Sequence, residues 1–321
     1  MTKEDLLREI EAKIASGEMR REDVMARFAP QNASMEEGNA RHFSVTKMLY
    51  VVGAAIIVVG IVIFVSQIWD DIGPFGRVSV TLGLGLLITA LGSMLRKERP
   101  QETIGHVFHA IGGALVPGGA LVTLSELSTG DNHPWVIALT FIVIFTFYLA
   151  LNAIHKSPVL SLFAIANGTA SIYLVTNAIL ADTRSSDYWD IFAYLTMAIG
   201  ASYLSLGHAF RDGWNRGLTG ILYFFGSVGL LGAAFSRVFD STGWQILYFA
   251  IVFACLYLAT LLKSKTVLII STLFLVAHVS YITSEYFADS LGWPISLVIL
   301  GFVFIGLGYA SLAINRKYIA S

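Results

Sequence analysis

Apolar residues in this chain come in long unbroken runs, and polar ones are confined to short segments between them. Neither the period-two alternation of a half-buried strand nor the one-sided stripe of a soluble helix describes such runs. They lie at 48–68, 78–95, 104–126, 135–154, 159–180, 190–210, 218–237, 245–262, 267–284 and 293–314. A hydrocarbon core about 30 Å thick takes roughly 20 apolar helical residues to cross, so each run is predicted as a span. Continuous apolar runs point to helices, because a membrane barrel alternates lipid-facing and lumen-facing residues. The predicted fold is an all-α polytopic bundle of about ten transmembrane helices, arranged as five hairpins.

The first 47 residues follow a different pattern. Leu6, Leu7, Ile10 and Ile14 fall at helical spacing behind a Thr2-x-x-Asp5 capping signal, and Ser16-Gly17 breaks the period. Val24, Met25 and Phe28 mark a second short helix that Ala29-Pro30 stops. The expected organisation is a helical hairpin over 1–30, a linker over 31–45, a membrane domain over 46–315 and a tail over 316–321. Two helices this short bury too little to be stable alone. The hairpin is therefore expected to dock on the membrane part, on a second copy of the chain or on another membrane protein. No apolar segment before Met48 resembles a signal peptide.

Composition and charge sharpen this picture. The chain is 55% hydrophobic and 13% charged, against about 25% charged in soluble domains. Arg96, Lys97, Arg99, Lys156, Arg211, Arg216, Lys263 and Lys265 fall in loops on one side, with Arg41, Lys47, Arg316 and Lys317 flanking the membrane domain on that side. Only Arg77, Arg184 and Arg237 fall on the other. This bias over short loops predicts that both termini are cytoplasmic. The opposite loops are acidic, and Trp69, Trp135, Trp189, Trp244 and Trp293 place one indole at each of them, as an interfacial belt would. The lone Cys255 excludes an intrachain disulfide framework. No basic, aromatic-interleaved surface suggests nucleic acid; the expected partner is the lipid bilayer.

The segment from Leu49 to Gly92 carries a resemblance. A Gly-rich first span, the exit Trp69-Asp70, a turn with Pro74, a basic Arg77 and a second Leu/Gly-rich span follow one another. This pattern resembles domain-of-unknown-function family 2157, a family of predicted bacterial membrane proteins, best over residues 1–95. A small helical head with a Gly-containing turn, here at Gly17, precedes the first span in that family as well. The resemblance implies an inner-membrane location and brings no activity with it.

Candidate chemistry is sparse. In the third span His106 and His109 share a helical face that Gly113 and Pro117 continue. Pro117 cannot donate to the carbonyl of Gly113, so a kink or irregularity is expected there, with this face turned into the bundle. The histidines admit three readings: interfacial residues at a helix end, a polar packing or proton-relay pair, or metal ligands. The last lacks the further ligand that two imidazoles need, so no metal and no cofactor is expected. Asn167 and His278 are further polar groups inside spans. Glu126 and Arg237 lie at similar depth near the outer boundary and are expected either to pair or to reach separately into the headgroups. Nucleophile-elbow, zincin, phosphate-loop and dinucleotide signatures are missing from the sequence. The reading is a non-enzymatic membrane protein with a transport-like, sensing or scaffolding role. The alternative is a ten-span secondary transporter of the drug/metabolite type for a small solute.

Overall fold

The computed structural model describes residues 12–13, 16, 45–98, 104–127, 133–181, 188–287, 298, 301–302, 305–306 and 309. Among these there is no strand. By its internal contacts the chain divides into Met1–Gly53 and Ala54–Ser321. In the first unit Ala12 and Lys13 are helical, and Ser16 closes a turn by donating its N–H to the Ala12 carbonyl. The rest of the predicted head and linker lies outside the described residues.

The helices are α1 (Val45–Gln67), α2 (Pro74–Glu98), α3 (Ile104–Leu127), α4 (Pro134–His155), α5 (Pro158–Leu180), α6 (Tyr188–Ala209), α7 (Arg216–Phe239), α8 (Thr242–Leu261) and α9 (Lys265–Phe287). Eight of them, α2 to α9, are long and apolar enough to cross a membrane. They correspond to the eight runs predicted between 78 and 284. The tenth predicted span, 293–314, lies mostly outside the described residues. In the most apolar stretch of each of the eight, 17% to 39% of the residues are buried, and the rest are partly or fully exposed.

Local sequence explains where these helices start. Pro74, Pro134 and Pro158 occupy first-turn positions, where a missing N–H costs nothing. Ser241 caps α8 by accepting from the Trp244 N–H at 3.3 Å. α2 is not uniform, because Ser79–Gly83 forms a π turn. There the Ser79 and Thr81 hydroxyls donate back to the Phe75 and Arg77 carbonyls at 2.8 and 2.7 Å.

Successive helices pack most closely as α2 with α3, α4 with α5, α6 with α7 and α8 with α9. Small residues permit the closest approaches. Along the α2–α3 seam, Gly85 and Gly92 face Gly105, Gly112 and Gly119, all spaced by seven. A Cβ on Gly119 would overlap the Leu82 backbone in the π turn, and one on Gly92 would lie 2.8 Å from the His109 ring. Gly200 and Gly207 on α6, again seven apart, meet α7 in the same way. Three apolar cores lie among the described helices, one of them formed by Leu204, Tyr223, Ala259, Leu262, Val267 and Leu268. Val116, Ala120, Ile144, Tyr148, Leu160 and Ala164 join α3, α4 and α5. Leu231, Val238, Tyr248, Val252, Cys255 and Leu275 join α7, α8 and α9.

Candidate functional site

The His106–His109 face of α3 lies inside the bundle, where α2, α4, α5 and the turn before α7 converge. Helical geometry stacks His106 above His109, and the glycine seam brings α2 close enough for its polar residues to reach both. His109 is fully buried, and its Nε2 lies 3.1 Å from the Ser93 hydroxyl. That hydroxyl's one proton goes to the Thr89 carbonyl at 3.0 Å, so Nε2 is the donor and His109 carries its proton there. Its other nitrogen, Nδ1, is a buried lone pair without a partner among the described residues.

His106 is half-buried and meets Arg96. The Arg96 Nη1 lies 2.6 Å from His106 Nε2, while His106 Nδ1 lies 3.0 Å from the Ser157 hydroxyl. The same Arg96 Nη1 lies 3.0 Å from Nδ1, so the guanidinium, which can only donate, approaches both ring nitrogens. Arg96 also donates from Nε to the His155 carbonyl at 2.9 Å and from Nη2 to the Lys156 carbonyl at 3.2 Å. These carbonyls close α4, whose C-terminal end carries partial negative charge that a guanidinium satisfies. The His155 ring completes the group, 5.7 Å from that of His109.

Polar contacts continue into α5 and the turn before α7. The Asn152 side chain accepts from the Ser157 N–H at 3.2 Å and donates to the Ser161 hydroxyl at 3.0 Å. Ser161 then donates to the buried Asn215 at 2.9 Å. One chain of contacts thus links α2, α3, α4, α5 and the turn before α7.

Gly113 and Pro117 lie deeper in α3. The helix is α-helical throughout, so the irregularity expected near Gly113 is not there; it is the π turn of the facing α2. The carbonyl that Pro117 leaves without an N–H is instead satisfied from outside the helix. The buried Tyr148 hydroxyl of α4 donates to the Gly113 carbonyl at 3.2 Å. The Phe163 ring packs where a Gly113 side chain would be.

The expected pairing of Glu126 with Arg237 is not formed. Glu126 accepts from Arg77 Nη1 at 2.9 Å, joining the end of α3 to the start of α2. Arg77 also donates to the Trp69 carbonyl at 3.0 Å and lies over the Trp69 ring. Arg237, at the end of α7, is paired with Asp190 at the start of α6 and lies 3.0 Å from Asp240. The physical reason is connectivity: consecutive helices pack most closely, so each charge finds its partner on the helix before it. The two clamps occupy the same places in α2–α3 and α6–α7 with their signs exchanged.

The remaining predicted residues lie elsewhere. Asp70 is exposed, and Pro74 opens α2. Asn167 is buried and donates to Phe163 within its own helix at 2.8 Å. His278 is buried on α9 among Tyr248, Phe249 and Phe235, and neither ring nitrogen has a partner among the described residues. Sequence reasoning missed Arg96, His155 and Ser157 as neighbours of the histidines, and Tyr148 as the partner of Gly113. The run His155-Lys156-Ser157-Pro158, polar between two spans, was the available signal for His155 and Ser157.

Among the described residues no group of three or more His, Cys, Asp or Glu is arranged to hold a metal ion. Arg96 binds the end of α4, and each histidine lies within hydrogen-bond distance of a serine hydroxyl, Ser157 for His106 and Ser93 for His109.

Comparison with curated proteins and with solved structures finds no match. A family model described as "Predicted membrane protein (DUF2157)" matches residues 20–155. The match runs past the stretch that carries the resemblance in sequence and ends at His155, so it takes in Trp69, Arg77, Arg96, both histidines, Glu126 and Tyr148. Residues 20–155 of this chain are thus similar to the DUF2157 family of predicted membrane proteins.

Proposed function

We propose that the chain is a ten-span protein of the bacterial inner membrane, built as five hairpins with both termini in the cytoplasm. In this reading it works without catalysis, as a scaffold in which α2–α5 form a fixed frame. One observation carries it: Arg96, His106, His109, Ser157 and Ser161 join helix to helix across α2–α5, while the grooves between helices are mainly apolar. A groove of about 520 Å³ between α2, α3 and α4 is walled by Leu82, Leu86, Val116, Leu139 and Val143. Another of about 550 Å³ is walled mainly by Ile61, Val65, Leu115 and Val122, with Ser66, Asp70 and Thr81 also on its lining. Such walls complement acyl chains and other apolar molecules, and would strip water from a hydrated solute without replacing its hydrogen bonds.

The transporter alternative expects an inverted repeat around a midplane site. The matched clamps, Arg77–Glu126 and Asp190–Arg237, instead relate α2–α3 to α6–α7 in the same chain direction, which favours the frame. Proteoliposome flux combined with thermal denaturation tests this reading. Lipids should raise the melting temperature and polar solutes should neither raise it nor be taken up. Saturable, ion-driven uptake of a polar solute would favour the transporter.

A further inference from the structure

We propose that the Arg96 end of α2–α5 binds the phosphate of an anionic phospholipid headgroup. This goes beyond the scaffold reading and does not rest on it, since a transporter with this end would hold the same headgroup.

Arg96 has five N–H donors. Nη1 is directed to both His106 nitrogens, Nε to the His155 carbonyl and one Nη2 N–H to the Lys156 carbonyl, which leaves an Nη2 N–H without a partner among the described residues. Among the described residues no carboxylate lies within 4.0 Å of it, in contrast to Arg77 and Arg237 at the other end of the helices. Arg96 is thus a half-buried cation, fixed by α4 and His106 and carrying an unused donor in a planar group suited to phosphate oxygens.

Lys156 supplies an independent observation. It closes α4 in the left-handed conformation, at φ 46° and ψ 53°, a place usually held by glycine. A lysine there is strained, yet it places an exposed cationic residue next to Arg96, whose Nη2 donates to its backbone carbonyl. Lys97 adds a second exposed cation next to Arg96 in sequence. The lipid, rather than free phosphate, is indicated by apolar side chains at the same end. Ile154 is 74% exposed and Met94 is 64% exposed, and both offer contact to an acyl chain. Basic pockets between helix ends on the cytoplasmic side suit anionic headgroups.

Thermal denaturation of the full chain in detergent micelles tests this, with phosphatidylglycerol, phosphatidylcholine or inorganic phosphate titrated in. Phosphatidylglycerol should raise the melting temperature saturably, and phosphatidylcholine should not. Lys156→Gly relieves the backbone strain, so the lipid-free protein should melt no lower than the wild type. Its apparent affinity for phosphatidylglycerol should nonetheless fall roughly fivefold, the effect of one surface lysine. Arg96→Gln should abolish the response; if that variant does not fold, Lys156→Gly decides. An equal response to phosphatidylcholine, or undiminished phosphatidylglycerol affinity in Lys156→Gly, overturns the site. An equal saturable rise with inorganic phosphate overturns the lipid assignment.

Discussion

Pro117 removes one N–H from the middle of α3, and Tyr148 restores what is lost. The freed Gly113 carbonyl would otherwise sit in an apolar core, where an unpaired buried acceptor costs about 1–3 kcal/mol. The Tyr148 hydroxyl reaches it at 3.2 Å, and the helix continues without a break. This yields a coupled prediction. Tyr148→Phe should destabilise the protein by about 1–3 kcal/mol. In a Pro117→Ala background, where residue 117 regains its N–H, the same change should cost measurably less. A thermal or denaturant double-mutant cycle checks it; equal costs in both backgrounds would mean that the hydroxyl does not serve the carbonyl freed by Pro117. That Pro117 frees Gly113 could be read from the spacing of four. Tyr148 could not, because only the packing of α4 on α3 decides which hydroxyl arrives.

At the scale of elements, the α2–α3 seam makes an opposed pair of predictions. A Cβ on Gly119 would collide with the Leu82 backbone, while one on Gly118 would meet nothing within 4 Å. Gly119→Ala should therefore destabilise by about 1–3 kcal/mol, as overpacking does. Gly118→Ala should be neutral or stabilise by up to about 1 kcal/mol through the helix preference of alanine. Comparable losses in both, read by thermal denaturation, would contradict the seam. The clamp at the far end of this pair gives a third expectation. Arg77→Glu or Glu126→Arg alone places like charges together, and the double exchange should recover most of the loss, since Asp190–Arg237 already shows the reversed polarity working.

What periodicity can and cannot predict is visible in these same elements. The apolar runs marked α2 to α9 to within a few residues, because length and hydropathy are local properties. Gly85 and Gly92 were recognisable as a packing face for the same reason. The partner of Glu126 was not, because depth in the membrane narrows the choice of cation without saying which helix carries it. The histidine face could be expected to turn inward from the polarity of its residues. Its bond to Arg96 depends on the α4 terminus lying between α2 and α5, which no spacing along the chain encodes.

At the scale of the whole molecule, the two clamps of exchanged sign and the two lysines in left-handed turns, Lys156 and Lys263, repeat one plan. A pair of glycine-seamed helices is clamped at one end, and the following pair is joined by a Lys-Ser turn at the other. In the proposed orientation the clamps face the periplasm, and the Lys-Ser turns face the cytoplasm together with Arg96, His106 and His155. Every part of the functional reading depends on this arrangement, and cysteine labelling in intact cells tests it most directly. The native Cys255 is buried and gives little background. Asp71 and Glu98 are both exposed, at opposite ends of α2. A membrane-impermeant maleimide should label Asp71→Cys in intact cells, and Glu98→Cys only after the membrane is permeabilised. Labelling of Glu98→Cys in intact cells with Asp71→Cys protected would reverse the orientation, and labelling of both from outside would contradict the claim that α2 crosses the membrane.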